Sequence, residues 1–325
     1  MATNWGLLST ARINGYIISA ANKSERVRIT AVASRDAARA EAYARDNEIA
    51  RSYGSYEELL SDPDIDAVYI PLPNSMHVDW TVRALEAGKH VLCEKPLSRH
   101  AADVDRAFSV AERTGRLLME AFMYRHNPQT SRLKELVQSG AVGTPQLVRA
   151  AFSFNLTRPN DIRMSAELEG GSLMDVGCYC VSGARNLFGE PETVYGEQIT
   201  TPSGLDKVFT GTMRMRGDIL ASFDSALTLS TRDELEVIGD EASLFVDDPW
   251  HCRSPGIELR ADDKVEEINL DAVDSYLLQL ENFTDAIKGS APPLLGRDDA
   301  MGQAQAIEAL YRSAAERTPV ALTNG

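Results

Sequence analysis

No stretch of this chain approaches the roughly 18 consecutive apolar residues of a membrane span, so no membrane-spanning helix is expected. The start, Met1-Ala2-Thr3-Asn4-Trp5, lacks the basic and apolar regions of a secretory signal, and a cytoplasmic protein is expected. Cysteine is scarce. Cys93, Cys178, Cys180 and Cys252 form no disulfide framework, and nothing near them supplies zinc ligands at the usual spacing, so no metal is expected. Positive charge is also in deficit: 33 Lys and Arg stand against 48 Asp and Glu, a net charge of −15. That balance argues against nucleic acid or an anionic membrane surface as a partner. It leaves room for a phosphorylated ligand in a locally basic pocket.

At 325 residues the chain is too long for one ordinary core, and two domains are expected. Its 43% hydrophobic and 25% charged residues are those of a globular protein, with no internal repeat or low-complexity tail. From Trp5 to Glu120, strand-like and helix-like segments alternate, the signature of a parallel sheet with crossover helices. Strands are read at Trp5–Leu8, Val27–Ala33, Ala67–Ile70, from Val91, and at Leu117–Glu120. Helices are read at Ala11–Ala21, Asp36–Arg45, His77–Glu86 and Ala101–Arg113, and Ser55 with Glu58 forms a capping box ahead of Leu59. After Met123 the rhythm changes. A helix at Pro128–Ser139, a strand at Gln146–Phe154 and a helix opening at Gly170 are followed by mostly antiparallel strand from Glu192 to Leu270. In Ile219–Leu229 the odd positions are largely apolar, which gives one buried face. Helices at Ser275–Lys288 and Asp298–Arg317 close the chain. The expected fold class is α/β: a doubly wound Rossmann sheet over residues 1–122, then an α+β domain over 123–325 with an open antiparallel sheet.

Ligands of open α/β sheets bind at the carboxyl ends of the strands. The strand from Val91 ends in Glu94 and Lys95, and Pro96 stops it because proline has no N–H to donate. A lysine there reaches a ligand while its backbone stays fixed. A dinucleotide fold usually carries G-x-G-x-x-G in its first turn. Here that turn reads Ser9-Thr10-Ala11-Arg12-Ile13-Asn14, without a glycine, and by itself it reads equally as an ordinary strand-to-helix turn. The second strand ends in Ser34 and Arg35, with Arg39 one helical turn beyond. An acidic residue at this place serves a free ribose 2′-hydroxyl, whereas a hydroxyl and a guanidinium suit a 2′-phosphate, so NADP is expected over NAD. The next core strand exits through Pro71-Leu72-Pro73-Asn74, leaving Asn74 and His77 as polar groups near the sheet edge; His77 reads equally as a helix-start residue. In the second half, Asp175 and Tyr179 lie four apart near a helix start and project from one face. Spacing alone also fits an exposed aspartate beside a half-buried tyrosine.

Taken together, the Rossmann-like first turn, Pro71-Leu72-Pro73-Asn74, Glu94-Lys95-Pro96, Met119–Arg125 and Gly170–Tyr179 resemble the glucose–fructose oxidoreductase / inositol dehydrogenase (Gfo/Idh/MocA) family over essentially the whole chain. The resemblance implies an NADP(H)-dependent sugar oxidoreductase that dimerises, or forms a dimer of dimers, through the open sheet. It implies cofactor contacts from Ser9 to Ile13, Ser34, Arg35, Arg39, Pro71, Leu72, Asn74, His77, Glu94 and Lys95. Substrate contacts would come from Lys95, Tyr124, Arg163, Asp175 and Tyr179. Lys95, Asp175 and Tyr179 would be catalytic: a free tyrosine, with a pKa near ~10, is a poor base at neutral pH, and a neighbouring ammonium favours its phenolate. The substrate implied is an aldose such as D-xylose or D-glucose oxidised at C1. The alternatives are a keto-sugar C3 reductase and a non-enzymatic NADP-binding regulator.

Overall fold

Short apolar runs separated by amphipathic helices build the first sheet of the computed structural model, which describes residues 2–158 and 160–322. Strands β1 (Thr3–Leu8), β2 (Val27–Ala33), β3 (Arg51–Tyr53), β4 (Ala67–Ile70), β5 (His90–Cys93) and β6 (Leu118–Glu120) lie in the order β3-β2-β1-β4-β5-β6. Every pairing is parallel. The crossovers contain α1 (Asn14–Ala21), α2 (Ala37–Asp46), α3 (Tyr56–Leu60), α4 (His77–Glu86) and α5 (Ala101–Thr114). All residues of β4 and β6 are buried, as expected for a parallel sheet covered on both faces. The strand order reverses between β1 and β4, and that switch point opens a crevice at the carboxyl edge.

Several local expectations shift. β3 was not legible, since its three residues Arg-Ser-Tyr offer no apolar run. Helix α1 begins at Asn14, three residues later than expected, because residues 9–13 are spent on the turn. The capping box at Ser55 is displaced by one residue: Ser55 Oγ accepts from the Glu58 N–H at 3.1 Å, while the Glu58 carboxylate reaches the N–H of Gly54, not that of Ser55.

The second sheet comprises β7 (Pro145–Asn155), β8 (Thr193–Thr200), β9 (Asp206–Met215), β10 (Ile219–Ala226), β11 (Thr228–Gly239), β12 (Ser243–Asp247), β13 (Gly256–Ala261), β14 (Lys264–Asn269) and β15 (Val320–Ala321). Their order is β14-β13-β12-β11-β7-β10-β9-β8-β15. The β7–β10 pair is parallel and the remaining pairings with a recorded register are antiparallel. Along β10, Ile219, Ala221, Phe223 and Ser225 are buried, while Leu220 between them is exposed. Helices α6 (Pro128–Gln138) and α7 (Cys178–Phe188) pack on this sheet.

The chain separates into two compact units. One runs to Met123 and takes in Tyr276–Met301; the other holds Tyr124–Ser275 and the chain from Gly302. The boundary expected after residue 122 therefore marks only the first crossing. Nearly all of α8 (Ser275–Ile287) and the start of α9 (Arg297–Glu316) return to the first unit. Phe283 packs on Trp5 with ring centroids 5.8 Å apart, Arg26 bridges Glu281 and Asp285, and Arg297 bridges Asp105 and Glu112. These contacts join residues far apart in sequence, so no local pattern announces them.

Candidate active site

In the first unit, four strand exits carry the polar groups. The turn after β1 has no glycine, yet Ser9 adopts a φ of 146°, a value that side chains rarely take. Two hydrogen bonds hold it there: Ser9 Oγ accepts from the Ala11 N–H at 3.2 Å, and the Ser9 carbonyl accepts from Asn14 Nδ2 at 2.8 Å. Serine thus occupies the conformation a glycine would supply, and residues 9–13 remain accessible at the switch point.

At the end of β2, Ser34 is buried and its hydroxyl accepts from the Asp36 N–H at 3.3 Å. The Asp36 carboxylate caps its own helix, accepting from the Arg39 N–H at 3.1 Å. Arg35 and Arg39 are exposed, and neither makes an ion pair among the described residues. Both guanidiniums lie beside the buried Tyr56 hydroxyl; burial pushes that phenol up and the two cations oppose the shift. A polar hydroxyl with two uncompensated cations is a donor set that fits a phosphate monoester.

The exits of β4 and β5 lie side by side. The Glu94 N–H still donates to the Ile70 carbonyl at 3.0 Å, so pairing runs one residue past β5. Glu94 is half-buried; its carboxylate accepts from the Tyr69 hydroxyl and from the Lys95 N–H. The Lys95–Pro96 peptide is cis. Lys95 and Asn74 are half-buried at this edge. His77, expected as a cofactor contact, is fully buried instead. Its Nδ1 is 2.9 Å from the Pro96 carbonyl and its Nε2 is 2.8 Å from the Leu72 carbonyl. Both ring nitrogens are occupied by the protein, so the residue joins two strand exits and does not face a ligand. Burial pulls its pKa down to about 4 against the opposing pull of the two carbonyls, and the charge of Lys95 adds to the lowering.

In the second unit, Asp175 lies in a π-helical turn, Leu173–Gly177, which runs directly into α7, the helix of Tyr179. Such single wide turns recur at functional sites. Gly170 and Gly171 make the entry possible. A Cβ on Gly170 would stand 2.2 Å from the Arg163 carbonyl, and one on Gly171 would stand 2.2 Å from Asp206 Oδ1, at a φ of +110°. Asp206, whose role the sequence did not suggest, anchors this helix start. Its Oδ2 accepts from the Ser172 hydroxyl at 2.8 Å and from the Leu173 N–H at 2.7 Å, and its Oδ1 accepts from the Tyr311 hydroxyl at 2.9 Å. Burial raises the pKa of Asp206, and these three donors oppose the rise.

Arg163 Nε donates to Asp175 Oδ2 at 2.8 Å, and its Nη1 lies 3.3 Å from Asp161 Oδ1. The Asp175 carboxylate holds the guanidinium more firmly protonated than usual. Tyr179 is 7% exposed and packs among Tyr124, Phe152 and Trp250, with ring centroids 5.4–6.0 Å away. Tyr124, expected as a substrate contact, is buried with its hydroxyl donating to Ser182 Oγ at 2.7 Å; it forms a wall against the Tyr179 ring. Phe152 and Trp250 complete that wall and were not singled out from sequence, where an aromatic residue carries no mark of its neighbours. Asp233, Asp248 and His251 also bring ligand atoms together; Arg253 lies 2.9 Å from Asp248 and His251 Nδ1 lies 2.6 Å from Asp233, so these groups already pair within the protein.

A β3-β2-β1-β4-β5-β6 sheet with an accessible turn at its switch point, joined in one chain to a mixed sheet carrying an acid–tyrosine helix, defines an NAD(P)-dependent oxidoreductase of CH–OH groups. The chain belongs to the GFO/IDH/MocA family. Residues 4–122 match its oxidoreductase family NAD-binding Rossmann fold and residues 130–245 match the GFO/IDH/MocA C-terminal domain. It is 37% identical over 315 residues to D-xylose 1-dehydrogenase (NADP(+)) 2 of Haloferax volcanii, covering 95% of this chain and 97% of that one. It is 34% identical over 295 residues to dTDP-3,4-didehydro-2,6-dideoxy-alpha-D-glucose 3-reductase of Saccharopolyspora spinosa, covering 88% and 86%. Among solved structures it is similar to KijD10, a 3-ketoreductase from Actinomadura kijaniata in complex with NADP and TDP-benzene. That match has a TM-score of 0.91 and 27% identity, and covers 96% of this chain and 98% of that one.

Proposed function

We propose that the protein is an NADP-dependent dehydrogenase that oxidises an aldose such as D-xylose or D-glucose at C1. The observation that carries this reading is the set of polar groups at the strand exits of the first unit and at the start of α7. Arg35 and Arg39 stand at the end of β2 without a carboxylate partner, Lys95 stands at the exit of β5, and Asp175 with Tyr179 opens α7. Similarity at nearly full length to an NADP-dependent xylose 1-dehydrogenase supports the same choice.

In this reading Ser34, Arg35 and Arg39 hold the 2′-phosphate, residues 9–13 line the pyrophosphate, and Pro71, Leu72, Asn74 and Glu94 line the nicotinamide end. Bound NADP supplies the hydride acceptor at its nicotinamide ring. Tyr179 takes the proton of the C1 hydroxyl as hydride leaves C1, and the sugar becomes a lactone. Lys95 contributes its ammonium, a charge of the kind that favours a phenolate. Asp175, oriented by Arg163, accepts hydrogen bonds from sugar hydroxyls. A second reading, reduction of a keto-sugar at C3 by NADPH, rests on similarity to the 3-ketoreductases and uses the same residues in reverse. Incubating the protein with NADP and a panel of aldoses while following absorbance at 340 nm tests the choice. Reduction of NADP with lactone formation supports the first reading; silence with every aldose, together with NADPH oxidation by a nucleotide-linked 3-keto sugar, supports the second.

The open face of the second sheet suits a two-fold homodimer or a dimer of dimers, because isologous contact of one face is the commonest closure. Ile199 and Leu220 are 57% and 45% exposed on strands whose alternate residues are buried. Light scattering at micromolar concentration is expected to give twice or four times the chain mass, and a monomer contradicts it.

A further inference from the structure

The exit of β5 is fixed at every residue from 94 to 97. The Glu94 N–H donates to Ile70, the Glu94 carboxylate accepts from Tyr69 and from the Lys95 N–H, and the Leu97 N–H donates to Glu120 Oε1 at 2.7 Å. Pro96 has no N–H, so its own backbone handle, next to Lys95, is its carbonyl. That handle faces His77 Nδ1 at 2.9 Å. The other nitrogen of the same ring faces the Leu72 carbonyl at 2.8 Å, in the middle of the Pro71–Asn74 segment. No rotatable bond lies between the two nitrogens. The ring therefore sets the spacing between two exits, one carrying Lys95 and the other lining the nicotinamide end in the reading above. We propose that His77 is a positioning residue for hydride transfer: through Pro96 it fixes Lys95, and through Leu72 it fixes the cofactor-lining segment beside it. The inference rests on Lys95 being catalytic.

A neutral imidazole carries one N–H and donates to one carbonyl only, and the rigid ring keeps the other carbonyl at its place by packing. Two substitutions separate the links. Asparagine places its amide nitrogen near the position of Nδ1 and keeps the Pro96 link; glutamine places its amide nitrogen near Nε2 and keeps the Leu72 link. Ångström-scale misplacement of a catalytic group costs on the order of 100-fold in rate. His77→Gln is therefore expected to lower kcat by roughly 10- to 100-fold with the NADPH Kd little changed. His77→Asn is expected to raise the NADPH Kd and retain most of kcat. Lys95→Ala, measured alongside, tests the underlying reading by itself, since normal turnover there removes Lys95 from the chemistry whatever His77 does. With Lys95 confirmed, wild-type kcat and Kd in both His77 variants with only a lowered Tm would overturn the positioning role, as would equal losses of kcat and affinity in both. Should a variant fail to fold, the ring 15N resonances of His77 in the wild-type protein provide the test. They are expected to shift on saturation with NADPH, and unchanged resonances overturn the proposal.

Discussion

In the proposed reading Arg35 and Arg39 carry the choice of cofactor, because a positive charge left without a partner on the surface is an open site for an anion. Each hydrogen bond to a charged group contributes about 1.5–3 kcal/mol when it forms. Arg35→Ala is therefore expected to weaken NADP by that amount and to leave NAD nearly unaffected, as read by fluorescence titration of the two reduced cofactors. Equal losses for both would make Arg35 structural. At this scale the sequence put Arg35 and Lys95 at strand ends and Asp175 near a helix start, and the structure has them there. It was less informative about His77 and Tyr124. Both stand in the right segments, but their polar atoms are taken by Pro96, Leu72 and Ser182 inside the protein, and burial of that kind is set by contacts that spacing does not reveal.

The π-helical turn ahead of α7 shows how an element is shaped from outside itself. Gly170 and Gly171 are visible in the sequence, but the group that makes the entry tight is Asp206, 33 residues from the N–H it accepts. A regular helix through Asp175 and Tyr179 was the natural expectation from spacing; the wider turn follows from packing against β10, where a Cβ on Gly177 would stand 2.8 Å from Ser225 Oγ. The parallel sheet was easier to read, since β4 is a continuous apolar run and β2 ends in one, whereas β3 has no such run. Asp206→Ala leaves the Leu173 N–H, the Ser172 hydroxyl and the Tyr311 hydroxyl without their acceptor. Each buried donor so stranded costs about 1–3 kcal/mol. The variant is expected to unfold at a lower urea midpoint and to raise the sugar KM, because the helix start carrying Asp175 loses its anchor. An unchanged midpoint would contradict the anchoring role.

For the whole molecule, three histidines with lowered pKa values weaken the fold in mild acid. Burial holds the pKa of His77 and of His90 down to about 4 and that of His126 down to about 3. In the unfolded chain each takes up a proton below about pH 6.5. The folded state does not, so stability is fully present above that value and falls as pH drops toward 4. The fully buried His77 by itself removes about 1.4 kcal/mol for each pH unit below 6.5. Urea unfolding at pH 7.0 and 5.5 is expected to show this loss, and His77→Gln to lessen it; a flat profile contradicts the buried neutral ring. The return of residues 276–301 to the first unit was hidden from sequence for a related reason, since Trp5–Phe283 and the Arg26 and Arg297 bridges join distant segments. The central claim of the proposed reaction is that Tyr179 takes the proton of the substrate hydroxyl. Tyr179→Phe keeps the ring among Tyr124, Phe152 and Trp250 and removes only the proton-transfer atom. It is expected to lower kcat by roughly 10²–10⁴-fold, the range for one positioned base, with NADP affinity intact. Lys95→Ala is expected to cost a similar factor. The most direct test is the double-mutant cycle on kcat: because the two act as a unit, the combined variant is expected to lose far less than the product of the single losses. Near-normal turnover by Tyr179→Phe, or losses that simply multiply, would contradict the proposed mechanism.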